Sequence, residues 1–152
     1  MKIKIAQIFS LSILFFSEAS YSASFEIYCP DSKQIHSKKI NNNLKTSYEY
    51  SGLLTSKAAT GIPIEIPVSG RLVNEVNLVK IIQLLKIELS PENELKCTYR
   101  TIGGSLDCEM LTLSGSLDGL TNTHCTVKCA NKVFENCVTQ DHKCRIECTS
   151  ES

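Results

Sequence analysis

Glu94-Leu95-Lys96-Cys97-Thr98-Tyr99-Arg100-Thr101, then Ile102-Gly103-Gly104-Ser105, then Leu106-Asp107-Cys108-Glu109-Met110, is the stretch that decides the fold. Leu95, Cys97 and Tyr99 alternate with polar residues, the period of a strand with one face buried. The Gly-Gly pair is a hairpin signal, and Leu106, Cys108 and Met110 carry the alternation onward. Just upstream, Leu85, Ile87 and Leu89 alternate with Lys86 and Glu88 before Ser90-Pro91-Glu92-Asn93 turns the chain. These runs read as an antiparallel meander.

Working outward, Leu44, Thr46, Tyr48 and Tyr50 alternate with Lys45, Ser47 and Glu49, another half-buried strand. Ile62, Ile64, Ile66 and Val68 alternate with Pro63, Glu65 and Pro67. Proline cannot donate to a ladder, so this piece reads as an edge strand or an extended arm. Residues 72–83 fit a short helix as badly as a bulged strand, which leaves room for one helix. The fold class expected is mainly β: a small antiparallel sheet or sandwich with at most one short helix and a disulfide-rich, hairpin-like C-terminal tail. Ser114-Gly115-Ser116-Leu117-Asp118-Gly119 has turn chemistry and separates a strand-rich body, 23–118, from the tail, 119–152.

Eight cysteines, Cys29, Cys97, Cys108, Cys125, Cys129, Cys137, Cys144 and Cys148, form an even set that reads as a disulfide framework in an oxidising compartment. Each bridge contributes about 2–4 kcal/mol against a total stability of about 5–15 kcal/mol. Cys125-Thr-Val-Lys-Cys129 and Cys144-Arg-Ile-Glu-Cys148 are two CxxxC segments. Residues i and i+4 share a face on a helix and on a strand alike. Folded antiparallel, the segments set Cys125 opposite Cys148 and Cys129 opposite Cys144, a nested pairing. The alternation Cys-Val-Cys and Cys-Ile-Cys favours strands. For the remaining four, Cys97 with Cys108 would bridge the Gly-Gly hairpin. Equally, Cys29 with Cys97 would staple the first strand and leave Cys108 for Cys137.

The chain opens Met1-Lys2-Ile3-Lys4, continues apolar from Ile5 to Phe16, and ends this segment with small and polar residues to Ala23. That tripartite order is the pattern of a secretory signal peptide over residues 1–22, with cleavage after Ser22. Its apolar run is too short to span a bilayer, which takes about 20 apolar residues, and no other segment is long enough. Cys29 follows Phe25-Glu26-Ile27-Tyr28, which is not a lipoprotein context. The expected destination is the periplasm or the exterior. Beyond residue 22 there are 14 basic and 15 acidic side chains, so no basic excess points to nucleic acid. With no tryptophan and six aromatics after the leader, stacking platforms are scarce.

His124, Cys125, Cys129, His142, Cys144 and Cys148 cluster with spacings that zinc tolerates, but exported thiols are oxidised, so no metal is assigned. His36, His124 and His142 sit in polar contexts, there is no GxSxG elbow, and Glu92 with Glu94 reads as a solvated turn. Asp141-His142 lacks the Cys-Cys pair and the glycine-rich calcium loop of secreted phospholipases. No catalytic residue and no cofactor is assigned. The tail resembles the twin CxxxC pattern of small mitochondrial intermembrane-space chaperones in its bridge geometry alone.

Cys29-Pro30 soon after the leader, Ile35, and Cys97-Thr98-Tyr99 late in the body resemble an uncharacterised family of small exported Gram-negative bacterial proteins. The resemblance covers residues 29–110. It implies an exported bacterial protein with a Cys29–Cys97 bridge and brings no activity with it. The functional expectation is a non-enzymatic, exported, disulfide-stabilised domain that binds a protein or envelope component through the polar loop Ser32 to Asn43 and the tail loops. A small hydrolase or hydrolase inhibitor is the alternative, and a structural envelope protein a third.

Overall fold

The computed structural model describes residues 23–42, 45–58, 64–72, 77–104, 109–129 and 144–150. The leader expected over 1–22 and residues Cys108, Cys137 and His142 lie outside them. Among the described residues, nine strands and one short turn follow in chain order: β1 (Ala23–Tyr28), a 3-10 turn η1 (Ser32–Gln34), β2 (His36–Asn42), β3 (Lys45–Ala58), β4 (Glu65–Arg71), β5 (Lys80–Leu89), β6 (Glu94–Ile102), β7 (Met110–Ser116), β8 (Thr123–Lys128) and β9 (Arg145–Ser150). They form one antiparallel sheet in the order β5-β6-β7-β4-β3-β1-β9-β8, with β2 beside β3. The end strands β5 and β8 approach each other, so the sheet rolls almost closed. Among the described residues no helix is long and apolar enough to cross a membrane.

The expected meander is present. Leu95, Cys97, Tyr99 and Thr101 of β6 face inward, and Leu111 and Leu113 of β7 meet them through the pairs Tyr99↔Leu111 and Cys97↔Leu113. Ile27, Tyr50, Leu54, Val68 and Ile146 complete an interior in which each is at most 1% exposed. Fully burying one such aliphatic side chain stabilises by about 1.5–3 kcal/mol, so this interior and the bridges share the load of holding the fold. Met110 departs from the sequence reading: it is 55% exposed and Leu111 is buried. The register pairs Arg100 with Met110, which puts more residues in the connection than a two-residue turn holds. In a strand an odd shift moves every side chain to the other face.

Residues 77–83 are not helical; β5 begins at Lys80 and pairs with the end of β6. Its register shifts between Ile81 and Gln83 and again between Leu84 and Lys86. These irregularities break the alternation, which is why the segment resembled neither element. β4 is also not an edge strand, since β3 and β7 flank it. Its contact with β7 is a single register pair, Ser69↔Ser114, so Pro67 falls outside that ladder. Close approach takes the place of a ladder there: a Cβ on Gly70 would sit against the Thr112 carbonyl, and one on Gly115 would lie 2.7 Å from Val68 Cγ1.

Of the polar loop expected over Ser32 to Asn43, the described residues 32–42 are mostly regular structure, and Asn43 lies outside the described residues. Ser32–Gln34 is η1 and His36–Asn42 is β2, paired with β3 from His36↔Ser51 to Asn42↔Lys45. β1 and β2 run along the same edge of β3, since Glu49 to Ser51 pair with β2 and with β4 on opposite sides. Residues 29–35 form a detour between the two strands. That detour builds the site described next.

Candidate functional site

The detour is pinned from beneath. Cys29 is bridged to Cys97 of β6, with Cα atoms 6.1 Å apart and a sequence separation of 68. This decides against the Cys97–Cys108 alternative. Two residues beyond Cys97, the buried Tyr99 hydroxyl donates to the Pro30 carbonyl at 2.7 Å. Burial, and secondarily the charge of Asp31, holds the Tyr99 phenol well above its usual pKa, so it stays a donor into the alkaline range. Pro30 packs against β3, where a Cβ on Gly52 would come within 2.8 Å of Pro30 Cγ. Cys29-Pro30 and Cys97-Thr98-Tyr99, far apart in sequence, thus form one clasp.

The clasp fixes the start of η1. The Gln34 N–H donates to the Asp31 carbonyl at 2.8 Å, and the Asp31 N–H donates to Gln34 Oε1 at 3.0 Å. Between η1 with the start of β2, on one side, and residues 78–82, on the other, lies an open groove of about 590 Å³. That volume is within the range of about 300–1,000 Å³ found for ligand pockets. The buried Tyr50 also lines it, and the Tyr50 hydroxyl accepts the Val79 N–H at 3.1 Å, tying the far wall to β3. Ile35, Val79 and Ile81 supply apolar surface, Ser32 and Ser37 hydroxyls, and Lys33 and Lys80 charge. Leu78 and Ile82, 55% and 38% exposed, finish the wall.

The second cysteine-rich feature is the β8–β9 hairpin. Cys125 pairs with Cys148 and Cys129 with Cys144, at Cα separations of 4.1 Å and 4.3 Å. This is the nested pairing expected, on strands. Each bridge joins a partly exposed cysteine on the β8 side, in the strand or just after it, to a buried one on the β9 side, in the strand or just before it, and Val127 packs opposite Ile146 between them. β9 in turn pairs with β1, from Ala23↔Ser150 to Ile27↔Ile146. On the outer face, Arg145 Nε is 2.9 Å from Glu26 and its terminal nitrogen 2.7 Å from Glu147. The Tyr28 hydroxyl donates to Glu26, and Lys57 Nζ lies 5.4 Å from the Tyr28 ring centre. That hydrogen bond, then burial, raises the Tyr28 pKa. Bridges like these three persist in oxidising compartments.

His36 and His124 are exposed, on β2 and β8. Neither lines the groove, and among the described residues no carboxylate does. The Ser32 hydroxyl donates to the Asp31 carboxylate at 3.4 Å, and among the described residues no hydrogen bond joins either groove serine to a lysine. Among the described residues no cluster of His, Cys, Asp or Glu suits a metal ion. Of the expected contact segment, Ser32, Lys33, Ile35 and Ser37 do face the groove. The opposing wall was missed. Its signal in the sequence was the apolar run Leu78-Val79-Lys80-Ile81-Ile82, read only as an ambiguous element. No family model, curated protein or solved structure matches the chain.

Proposed function

We propose that the protein is a non-enzymatic, exported binding domain, periplasmic or secreted, whose contact surface is the groove between η1 and residues 78–82. One observation carries the reading: an open, half-apolar groove whose two walls are held by long-range ties, the Cys29–Cys97 bridge with Tyr99 on one side and Tyr50 on the other. Rigid walls lower the ordering cost of binding, and function concentrates on connecting segments held by a stiff sheet. The tripartite leader and the bridged cysteines support export. The partner is a protein or an envelope component.

Site-specific photo-crosslinking in the producing cell tests this. A photoreactive residue in place of Leu78 or Ile82 should give one discrete adduct. The same residue in place of Leu53, on β3 and 44% exposed, should give none. Equal labelling at all positions, or none at Leu78 and Ile82, would contradict the proposal.

A further inference from the structure

We infer that the groove receives an extended acidic–aliphatic segment of a partner protein, laid beside β5 as an added strand. This rests on the groove being the contact surface. β5 ends the strand order; among the described residues its one ladder is with β6, and β8 and η1 approach it without pairing to it. The wall at residues 80–82 is the start of that strand. A strand edge without a second ladder is a template for another extended chain. Among the described residues, four of the five exposed large apolar ones, Leu78, Ile82, Ile102 and Met110, gather at this end of β5, β6 and β7. Single exposed apolar residues are ordinary, whereas a gathering marks a contact surface.

Charge selects the occupant. Among the described residues, the charged side chains lining the groove are Lys33 and Lys80, so acidic side chains on the incoming strand find partners and basic ones are repelled. Alternate residues of an added strand face opposite ways, which sets aliphatic side chains toward Ile35 and Ile81 and acidic ones toward the lysines. The register shift after Ile81 limits the straight edge, so the docked segment is short.

Fluorescence anisotropy with the oxidised protein and labelled octapeptides tests this. An alternating Glu-Val peptide should bind, with an alternating Lys-Val peptide roughly tenfold weaker in moderate salt, the sum of a few exposed charge pairs. Lys33→Glu with Lys80→Glu, both at exposed positions, should reverse that preference. N-methylation of alternate amides, made in both registers, should abolish binding in at least one. Equal binding of both peptides, a preference indifferent to the lysine changes, or full binding by both N-methylated peptides would overturn the inference. If neither peptide binds while Leu78 and Ile82 still crosslink a partner, this inference fails and the groove reading stands. Loss of both signals removes both.

Discussion

The clasp and the twin-bridged hairpin use the same bond for different ends. Cys29–Cys97 joins β6 to the end of β1, across β7, β4 and β3, and closes 68 residues. The hairpin bridges close 23 and 15 residues between strands that are already hydrogen-bonded neighbours. By loop-closure entropy the first is worth about 4 kcal/mol and each of the others about 3. Because the hairpin bridges are nested, they restrict much of the same chain and their effects overlap. A long-range bridge therefore sets which surfaces meet, and here it sets one wall of the groove. A short-range pair sets register at the end of the sheet.

Substituting both cysteines of the clasp, Cys29→Ala with Cys97→Ala, should produce the largest loss, about 4 kcal/mol or more with the cavity left in the core. Urea unfolding followed by circular dichroism measures it, and a loss no greater than that of a hairpin bridge would erase the distinction. Cys129→Ala with Cys144→Ala should lower stability by about 2 kcal/mol, since Cys125–Cys148 still holds the strands. Peptide binding in the groove should survive that change and fail with the first.

Tyr99→Phe sharpens the comparison within the clasp. It leaves the Pro30 carbonyl buried without its donor, at about 1–2 kcal/mol. It also changes the alkaline limb of stability. The native phenol titrates above the unfolded value of 10.0, so the native state keeps its proton where the unfolded state loses it. The stabilisation is whole below about pH 10 and is lost as pH rises beyond it. Unfolding midpoints between neutral pH and the alkaline limb should fall less steeply in the variant. The smallest effect belongs to the hairpin's outer face: Glu26→Gln should bring the Tyr28 titration down toward 10.0, read by phenolate absorbance, with little change in stability.

What was legible in the sequence follows from what constrains one face of a strand. β6 and the hairpin strands each bury one side, and Leu95, Cys97, Tyr99 or Cys125, Val127, Cys129 display it at period two. β2 gave no such signal because His36 to Lys39 are exposed on both faces and only β3 holds them. The start of β5 was obscured by its shifted register and by Leu78 and Ile82, apolar yet exposed. The groove was half legible: the segment Ser32 to Ser37 was marked as a contact surface, but its opposing wall is 41 or more residues away and meets it only through closure of the sheet. The Cys-Pro and Cys-x-Tyr pairs drew notice as a motif. Their meaning as a bridge plus a hydrogen bond emerges only when β6 lies beneath the detour.

Tryptic digestion without reduction, followed by mass spectrometry, tests the central claim most directly. Lys96 and Arg100 bracket Cys97, Lys128 separates Cys125 from Cys129, and Arg145 separates Cys144 from Cys148. The account predicts the Cys29 peptide joined to Cys97-Thr98-Tyr99-Arg100, together with Cys125–Cys148 and Cys129–Cys144 linkages. Recovery of Cys97 joined to Cys108, with Cys29 bound elsewhere, would contradict it.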